Sequence, residues 1–511
     1  MLSKESFREI SPADFFYRNR DIAGFSNPSR AVYSTIREIL ENSLDACEIG
    51  GFPPDILIKL ETLEYTPSGT QILKITAIDN GTGVPHKYVP QAFGQVFFGS
   101  KYVLRQSRGT FGLGGKMAYL YGQITTHAPL HVITGYHGKV HEYLLRIDIQ
   151  RNQPIILKES FVKRSKWHGV LLEFNLEGNY RLASAKILEY LKETAMVTPY
   201  ANITFIDPDG RLIRFYRVTR EMPTPPRETL PHPHGVDVEG LRRLISTSNA
   251  KDMKTFLTTS FHRIGSATAD SFLSWASKIM KKHNLKKLNP KKLTHEELVM
   301  LARCLHSYDG FLLPDASCLS PIGPQLLKKG IQKELKPEFV EAIARKPSAY
   351  SGHPFIVEAA IAYGGNIPPG IKLYRFANRI PLLYDESSDV SWKVVFQLIN
   401  WKYYKIDPNN DPVAVAIHIA STKIPYKTVG KEFIADRPEI EREILNAVRE
   451  LARKLSRFIA KREKIKYQSK RFNVFKKYLP VMVKYAALTV DRPIPDISKL
   501  LKRSPINDEE T

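Results

Sequence analysis

The sequence predicts an α+β protein of about three domains, and three observations lead there. At 511 residues the chain is longer than one ordinary core organises. Near the amino terminus a helical period is followed by alternating strands, and towards the carboxyl terminus strands recur ahead of a long helical period. Between these halves Pro223, Pro225, Pro226, Pro231 and Pro233 crowd into a segment that can extend neither a helix nor a central strand.

After the turn signal Ser26-Asn27-Pro28, Val32, Ile36, Ile39, Leu40 and Leu44 recur at helical spacing and predict an amphipathic helix over residues 30–47. Residues 55–64 and 71–79 read as paired strands. Ile56, Ile58 and Leu60 alternate, as do Leu73, Ile75 and Ala77, around the turn Thr66-Pro67-Ser68-Gly69. An antiparallel sheet with helices fits. The proline-rich residues 222–235 read as a linker, with a boundary near Glu228. Residues 236–305 return to helical spacing, with Lys and Arg interspersed and a break at Ile264-Gly265, which predicts a small, basic, all-helical insert. Residues 355–363 and 413–420 read as strands, and His418, on the small-residue face of the second, reads as a packed histidine. Ile440, Ile444, Val448, Leu451, Leu455 and Phe458 then mark one face of a long helix over residues 439–466.

Composition narrows the function classes. With 43% hydrophobic and 25% charged residues the chain is neither collagenous, low-complexity nor wholly disordered. Lys plus Arg less Asp plus Glu is 75 − 52 = +23, a surplus that favours polyanions, nucleic acid ahead of acidic membranes. Cys47, Cys304 and Cys318 are too few and too scattered for a disulfide framework or a four-thiolate zinc site, and read as thiols of a reducing cytoplasm. The first nine residues carry no apolar signal core, and no apolar run reaches the ~18 residues needed to span a bilayer, so a cytoplasmic protein is expected.

The chemistry-bearing residues fall in three segments. Glu38, Asn42 and Asp45, four and three apart, put a carboxylate, an amide and a second carboxylate on one narrow helix face. Taken alone, that triplet fits a solvated, capped helix face better; the next segments change the weighting. The strand ending at Asp79 turns sharply through Asn80-Gly81-Thr82-Gly83, setting a carboxylate at the rim of an apolar pocket. There it could accept from an exocyclic amine while Gly81 and Gly83 let a flat ring approach the backbone. A plain Asp-Asn-Gly turn is the other reading. The run Arg108-Gly109-Thr110-Phe111-Gly112-Leu113-Gly114-Gly115-Lys116 precedes a helix start, where backbone N–H groups and a lysine could converge on phosphates. It is neither a Walker A loop nor a Rossmann turn.

The order Glu-x-x-x-Asn, Asp-x-Gly-x-Gly, Gly-x-x-Gly-x-Gly-x-Lys resembles the Bergerat (GHKL) ATP fold, shared by gyrases, one class of heat-shock chaperones, histidine kinases and mismatch-repair ATPases. Within that group the chain is most similar to the archaeal topoisomerase VI B-subunit family. The likeness rests on Arg37-Glu38-Ile39-Leu40-Glu41-Asn42-Ser43-Leu44-Asp45-Ala46, on Phe98-Gly99-Ser100-Lys101-Tyr102 and on Ser421-Thr422-Lys423-Ile424-Pro425-Tyr426-Lys427. It extends through Gly352-His353-Pro354-Phe355-Ile356-Val357-Glu358 and Arg375-Phe376-Ala377-Asn378-Arg379-Ile380-Pro381, and so covers nearly the whole chain. One departure is Trp167-His168-Gly169-Val170, where relatives often carry Gly-Thr. A hydroxyl contact from position 170 is therefore not expected, whereas backbone contacts from Gly169 are.

The resemblance implies an ATPase domain over residues 1–228, a helix-two-turn-helix domain over 229–306, and a βαβ-containing transducer with a long carboxyl-terminal helix over 307–470. Residues 471–511 would form a partner-docking segment and tail. By the same likeness Glu38 is the general base, Asn42 the ligand of Mg²⁺, and Asp79 the reader of the adenine amine beside Gly81 and Gly83. Gly109, Thr110, Phe111, Gly112, Leu113, Gly114, Gly115 and Lys116 close as a lid on the phosphates of ATP, Ser100 and Lys101 line the site, and Lys427 reaches in from the transducer.

The family enzyme pairs two such ATPase subunits with two DNA-cleaving A subunits and passes one double-stranded DNA through a transient break in another. Its ATPase domains homodimerise on binding ATP, and here the segment before Pro28 would help form the contact. Two other readings are a Bergerat ATPase of chaperone or mismatch-repair type and a non-enzymatic DNA-binding scaffold whose whole function is the +23 charge. A histidine kinase is disfavoured, because no dimerising helix with a phospho-acceptor histidine precedes the ATP motifs. Asp207-Pro208-Asp209-Gly210 mimics a paired-carboxylate metal motif but reads as a turn after a strand over 202–206, and none of the 24 tyrosines is singled out as a nucleophile. DNA cleavage is thus expected on the partner. Residues 449–477 are strongly basic and would lie near DNA. The apolar cluster Phe472, Val474, Phe475, Tyr478, Leu479, Val481, Met482 and Val483 is assigned to docking the cleaving subunit, the alternative being that it folds back on its own transducer.

Overall fold

The computed structural model describes residues 9–109, 113–427 and 432–502, and its class is α+β. After α1 (Pro12–Arg18), α2 (Pro28–Gly50) starts where Asn27 accepts from the Arg30 N–H and ends at Gly51, whose φ of 71° suits glycine. The stripe Val32, Ile36, Ile39, Leu40 and Leu44 is buried. There follow β1 (Asp55–Tyr65), β2 (Gln71–Ile78), α3 (Val89–Gly94), α4 (Gly114–Thr126), β3 (Leu130–Tyr136), β4 (Lys139–Asp148), β5 (Gln153–Arg164), β6 (Gly169–Gly178), α5 (Tyr180–Val197), β7 (Asn202–Ile206) and β8 (Leu212–Phe215). The strands form one sheet in the order β5-β4-β3-β6-β2-β1-β7-β8, antiparallel except where β1 meets β7. Strands β1, β2 and β6 bury alternate residues, and α2, α4 and α5 cover that buried face.

Residues 216–232 form neither helix nor strand. Beyond them α6 (Val238–Thr247), α7 (Met253–Ser260), α8 (Ser266–Ile279) and α9 (His295–Ser307) enclose a separate core that includes Leu241, Phe256, Phe272 and Leu301. Asp237, Asp252 and Thr294 cap three of these helices with their side chains.

The last part comprises α10 (Pro324–Leu335), β9 (Phe339–Ala344), β10 (Ser348–Tyr350), β11 (His353–Tyr363), β12 (Gly370–Ala377), β13 (Ile380–Pro381), the short α11 (Val390–Trp392), β14 (Pro412–Ser421), α12 (Pro438–Thr489) and α13 (Ser498–Lys502). Its sheet runs β10-β11-β14-β12-β13, with β9 also on β11. Strands β12 and β14 are parallel neighbours, so the chain between them, through α11, makes a βαβ crossover. Strands β11 and β14 are buried on both faces. Ile440, Ile444, Val448, Leu451 and Leu455 of α12 close one face. On the other, α10 packs so tightly on α5 that a β-carbon at Gly330 would stand 1.8 Å from the Met196 carbonyl oxygen.

One expectation needs correction, and one alternative is set aside. The long helix does not stop near residue 466 but runs 52 residues to Thr489, through Pro480, a length of about 78 Å at ~1.5 Å per residue. Its buried stripe ends at Ile459, which is why periodicity understates it; residues 460–479 hold neither Gly nor Pro and are rich in helix formers. Nor does the apolar cluster fold back: Val474, Phe475, Tyr478, Val481 and Met482 are exposed along the rod, and Phe472, Leu479 and Val483 are only half-buried.

His418 is fully buried, accepting from the Arg379 N–H at 3.0 Å and bonded to Glu358 at 2.8 Å. Asp207-Pro208-Asp209-Gly210 forms the β7–β8 turn. Asp207 accepts there from the N–H groups of Asp209 at 3.0 Å and Arg211 at 2.9 Å. All three cysteines are free and buried. Among the described residues no helix is long and apolar enough to cross a membrane.

Candidate functional site

The polar face of α2 lies along the start of α4. A β-carbon on Gly114 would sit 1.8 Å from a Glu38 carboxylate oxygen, and one on Gly115 would come 3.3 Å from the Asn42 Nδ2 and from the Tyr119 hydroxyl. Glycine at these two positions is what lets the helix start approach the carboxylate and the amide. Leu113 occupies the N-cap of α4 and makes no side-chain capping hydrogen bond, and a helix start of this kind suits an anion. Glu38 accepts from the Arg37 guanidinium at 2.9 Å.

Lys101 bridges the next turn of α2. Its ammonium donates to Asn42 Oδ1 at 3.0 Å and to Asp45 Oδ2 at 2.7 Å. Burial works against ionisation of Asp45, but the charges of Lys101 and Arg108 outweigh it and hold the carboxyl below the ordinary range. Gly109 lies beside Lys101: a β-carbon there would be 3.5 Å from the ammonium.

Asp79 follows β2 and is 7% exposed. Oδ1 accepts from the N–H groups of Gly81 at 2.9 Å and Val170 at 3.2 Å, and Oδ2 accepts from the Ser43 hydroxyl at 3.0 Å. A carboxylate offers about four acceptor positions, so Oδ2 keeps one for an external amine. Burial raises the Asp79 carboxyl against these three donors. Gly81 is pressed on α2, with a virtual β-carbon 2.7 Å from that of Ala46, while Gly83, at φ 70°, would meet the Gly135 carbonyl oxygen at 2.0 Å. Val170 thus contributes its backbone where a hydroxyl is missing. His168 beside it bonds to the Gly81 carbonyl at 2.8 Å.

Lys116, in the first turn of α4, donates to the Phe98 carbonyl oxygen. Burial, then the charge of Lys101, lowers its ammonium to about 8. Lys101 is thus close enough for its charge to act on Lys116.

Thr110, Phe111 and Gly112 lie outside the described residues. Ser100 is exposed beside Lys101. Lys427 is exposed in the loop after β14, with its ammonium 5.9 Å from the Phe433 ring centre, and makes no described ion pair with Glu38. Its neighbour Tyr426 is near enough to Glu41 and Arg37 of α2 to feel their charges, and Arg30 of α2 pairs with Glu432 beyond that loop. The structure therefore gathers Glu38, Asn42, Lys101, Gly109, Gly114, Gly115 and Lys116 around one end of α4, with Asp79, Gly81 and Gly83 on the other flank of α2. Lys427 is brought to that neighbourhood, and among the described residues it makes no hydrogen bond or ion pair with the group.

Sequence reasoning missed the role of Ser43 in orienting Asp79 and the pairing of Arg108 with Glu48. Glu48 continues the helical spacing of Asn42 and Asp45, which was a usable signal.

Residues 314–471 match the family described as topoisomerase VI B subunit, transducer. The chain is 44% identical over 493 residues, 95% of its own length and 91% of the relative's, to the type 2 DNA topoisomerase 6 B subunit of Sulfurisphaera tokodaii. It is 43% identical over 486 residues, 94% and 90% of the two lengths, to the protein of that name from Saccharolobus islandicus. Among solved structures, the 43K ATPase domain of Thermus thermophilus gyrase B, in complex with an aminocoumarin, is similar at 12% identity and a TM-score of 0.41, over 88% of this chain and 91% of that one.

Proposed function

The chain belongs to the family of type 2 DNA topoisomerase 6 B subunits, and on that premise we propose that the α2–α4 site binds and hydrolyses ATP to drive duplex passage through a break made by a partner A subunit. The observation that carries this reading is the convergence of Glu38, Asn42 and Lys101, a carboxylate, an amide and an ammonium, on the start of α4. The polyphosphate would lie against the α4 N–H groups, with Lys101 and Lys116 neutralising it, Ser100 at the rim and residues 109–116 closing over it.

The donor set fits the adenine end as well. Asp79 has an acceptor position to spare, and the close packing of Gly81 on Ala46 and of Gly83 on Gly135 fixes the turn beside it. Asn42 would supply an oxygen to Mg²⁺, which when bound neutralises phosphate charge. Glu38 is the carboxylate placed to take a proton from water and hold its oxygen in line, and Arg37 orients it. Asp79 is shielded and partnered, which suits reading rather than proton transfer. Lys427 would add its charge from the transducer side, and with it a means of sensing the terminal phosphate.

On this reading residues 1–228 are the ATPase domain, 229–306 the helix-two-turn-helix domain, 307–470 the transducer, and 471–511 the segment that docks the A subunit. Two ATPase domains would pair when nucleotide is bound. The +23 charge supports double-stranded DNA as the other partner. The test is co-purification with a candidate A subunit followed by supercoil relaxation in ATP and Mg²⁺. Relaxation that proceeds equally with Glu38→Ala would defeat the assignment.

A further inference from the structure

Residues 106–108, the stem of the glycine-rich segment, are clasped from two sides. On one side α2 presents Asp45 and Glu48. The buried Arg108 guanidinium donates to Asp45 at 2.7 Å and to both Glu48 oxygens at 2.7 Å. On the other side stands the β12–β13 turn. Asn378 donates to the carbonyl oxygens of Ser107 at 3.2 Å and Ser421 at 3.0 Å, and accepts from the Ser421 N–H at 3.0 Å.

That turn is unusual in holding two successive non-glycine residues, Asn378 and Arg379, at φ 49° and 65°. Such backbone is uncommon and persists only where its surroundings hold it. Here it aims Arg379 back towards α2. The guanidinium, 5% exposed, donates to Ser320 Oγ at 3.2 Å and lies 3.4 Å from Glu48 Oε2, while its Nε is buried without a hydrogen-bond partner. Glu48 is therefore shared by two arginines, tightly with Arg108 and loosely with Arg379. Asp45 is likewise shared, by Arg108 and Lys101. Lys101, Asp45, Arg108, Glu48 and Arg379 form an alternating chain in which three cations compete for two carboxylates, in a buried setting that salt screens little.

We propose that this chain of charges is a relay from the phosphate site to the transducer: when a polyphosphate draws Lys101 from Asp45, Arg108 turns to Asp45, and Arg379 closes on the freed Glu48. The β12–β13 turn follows, and with it β14, tied through Asn378 and Ser421 and leading to Lys427. The inference rests on the nucleotide reading above. Arg379 acts through Glu48 and is a positioning residue.

Coupling is reciprocal: if a ligand that draws Lys101 tightens Arg379 on Glu48, loosening Arg379 must weaken that ligand. A triphosphate carries more charge than a diphosphate and should draw Lys101 harder. The experiment measures, by calorimetry on the full chain with Mg²⁺, the affinities of a non-hydrolysable ATP analogue and of ADP. In Arg379→Gln the preference for the analogue over ADP should fall about fivefold or more, and Glu48→Gln should lower it in the same direction. In an Asp45→Asn background, Arg379→Gln should add no further loss, because the chain is already cut. An unchanged preference in either folded variant overturns the relay, and so does an equal loss for both ligands, the mark of a purely structural role. Loss of a cooperative melt in both variants would assign the chain to stability alone and overturn it too. Wild-type protein that binds neither ligand would defeat the nucleotide site itself.

Discussion

Glu38 and Gly114 are packed so closely that a methyl group on Gly114 would overlap the Glu38 carboxylate, with 1.8 Å to the nearer oxygen. The carboxylate is the mobile end of its side chain and can give way, so Gly114→Ala should fold but displace the Glu38 carboxylate, the proposed base. A displacement of ~1 Å at a reacting group costs on the order of 10²-fold in rate. Gly114→Ala is therefore expected to lose ATP turnover by about that factor, and Glu38→Ala by about 10²–10⁴ while still binding nucleotide. Steady-state hydrolysis and analogue binding measure the two effects separately; normal turnover in Glu38→Ala would remove that residue from the mechanism.

Asp79→Asn tests the adenine assignment by changing little else. One amide oxygen can still accept from the Gly81 and Val170 N–H groups, but the other atom becomes a donor facing Ser43 and any incoming amine. Leaving a buried donor without an acceptor costs about 1–3 kcal/mol, so ATP affinity should fall about 5–150-fold. A nucleotide lacking the exocyclic amine should lose much less. Equal losses for both nucleotides would place the base elsewhere.

Lys116 gives the site a pH dependence. Burial, aided by Lys101, holds its ammonium at about 8 against an ordinary 10.5. Between those values the unfolded chain keeps the proton and the folded chain releases it, so Lys116 makes stability rise with pH across that window. For a polyphosphate the sign reverses, because binding favours the ammonium and must recover its proton above pH ~8. Analogue affinity should fall by up to about tenfold per pH unit from 8 towards 10. Lys116→Arg, charged throughout, should flatten the profile, and a profile unchanged by that substitution would exclude Lys116 as its source.

What the sequence made legible was local. The stripe of α2 and the alternation of β1 and β2 repeat within a few residues, and each element formed where its period lies. The order of the large sheet, with β6 between β3 and β2 and β1 parallel to β7, depends on pairings that no period records. The site shows the same division. Glu38, Asn42 and Asp45 share a helix face by spacing alone, whereas Lys101 reaches Asp45 across 56 residues, Arg108 reaches Glu48 across 60, and Arg379 approaches Tyr200 across 179. Only folding brings such partners together.

The far half of α12 makes a separate prediction. Its buried stripe ends at Ile459, and beyond it Ala487 is the one buried residue of the helix. Truncation after Gln468 should therefore leave melting and nucleotide affinity near those of the full chain. The exposed Val474, Phe475, Tyr478 and Met482 are apolar surface that a partner would cover, so the truncated chain should no longer co-purify with the A subunit. Retained co-purification would move the docking site off this rod.

Glu193 concerns how the two sheets are joined. It lies on α5, 4% exposed, with Oε2 buried and without a hydrogen-bond partner. Burial and then the Glu189 charge push its carboxyl up to about 8, against the pull of Lys372 and Arg375 on β12 and of Lys186 on its own helix. The ordinary value is 4.5, so between 4.5 and about 8 the folded chain holds a proton that the unfolded chain has lost. A raised carboxyl of this kind contributes stability that is complete below the ordinary value and is lost as pH rises through the folded one. The chain should therefore melt at a lower temperature at pH 8.5 than at pH 6. Glu193→Gln keeps the shape and cannot ionise, so it should remove most of that slope and raise the melting temperature at pH 8.5 by a few degrees. Little change is expected at pH 5, where Glu193 is already neutral in the folded chain. If Glu193→Gln melts with the wild-type slope, another group is responsible; if it melts lower at every pH, the ionised carboxylate is holding α5 to β12.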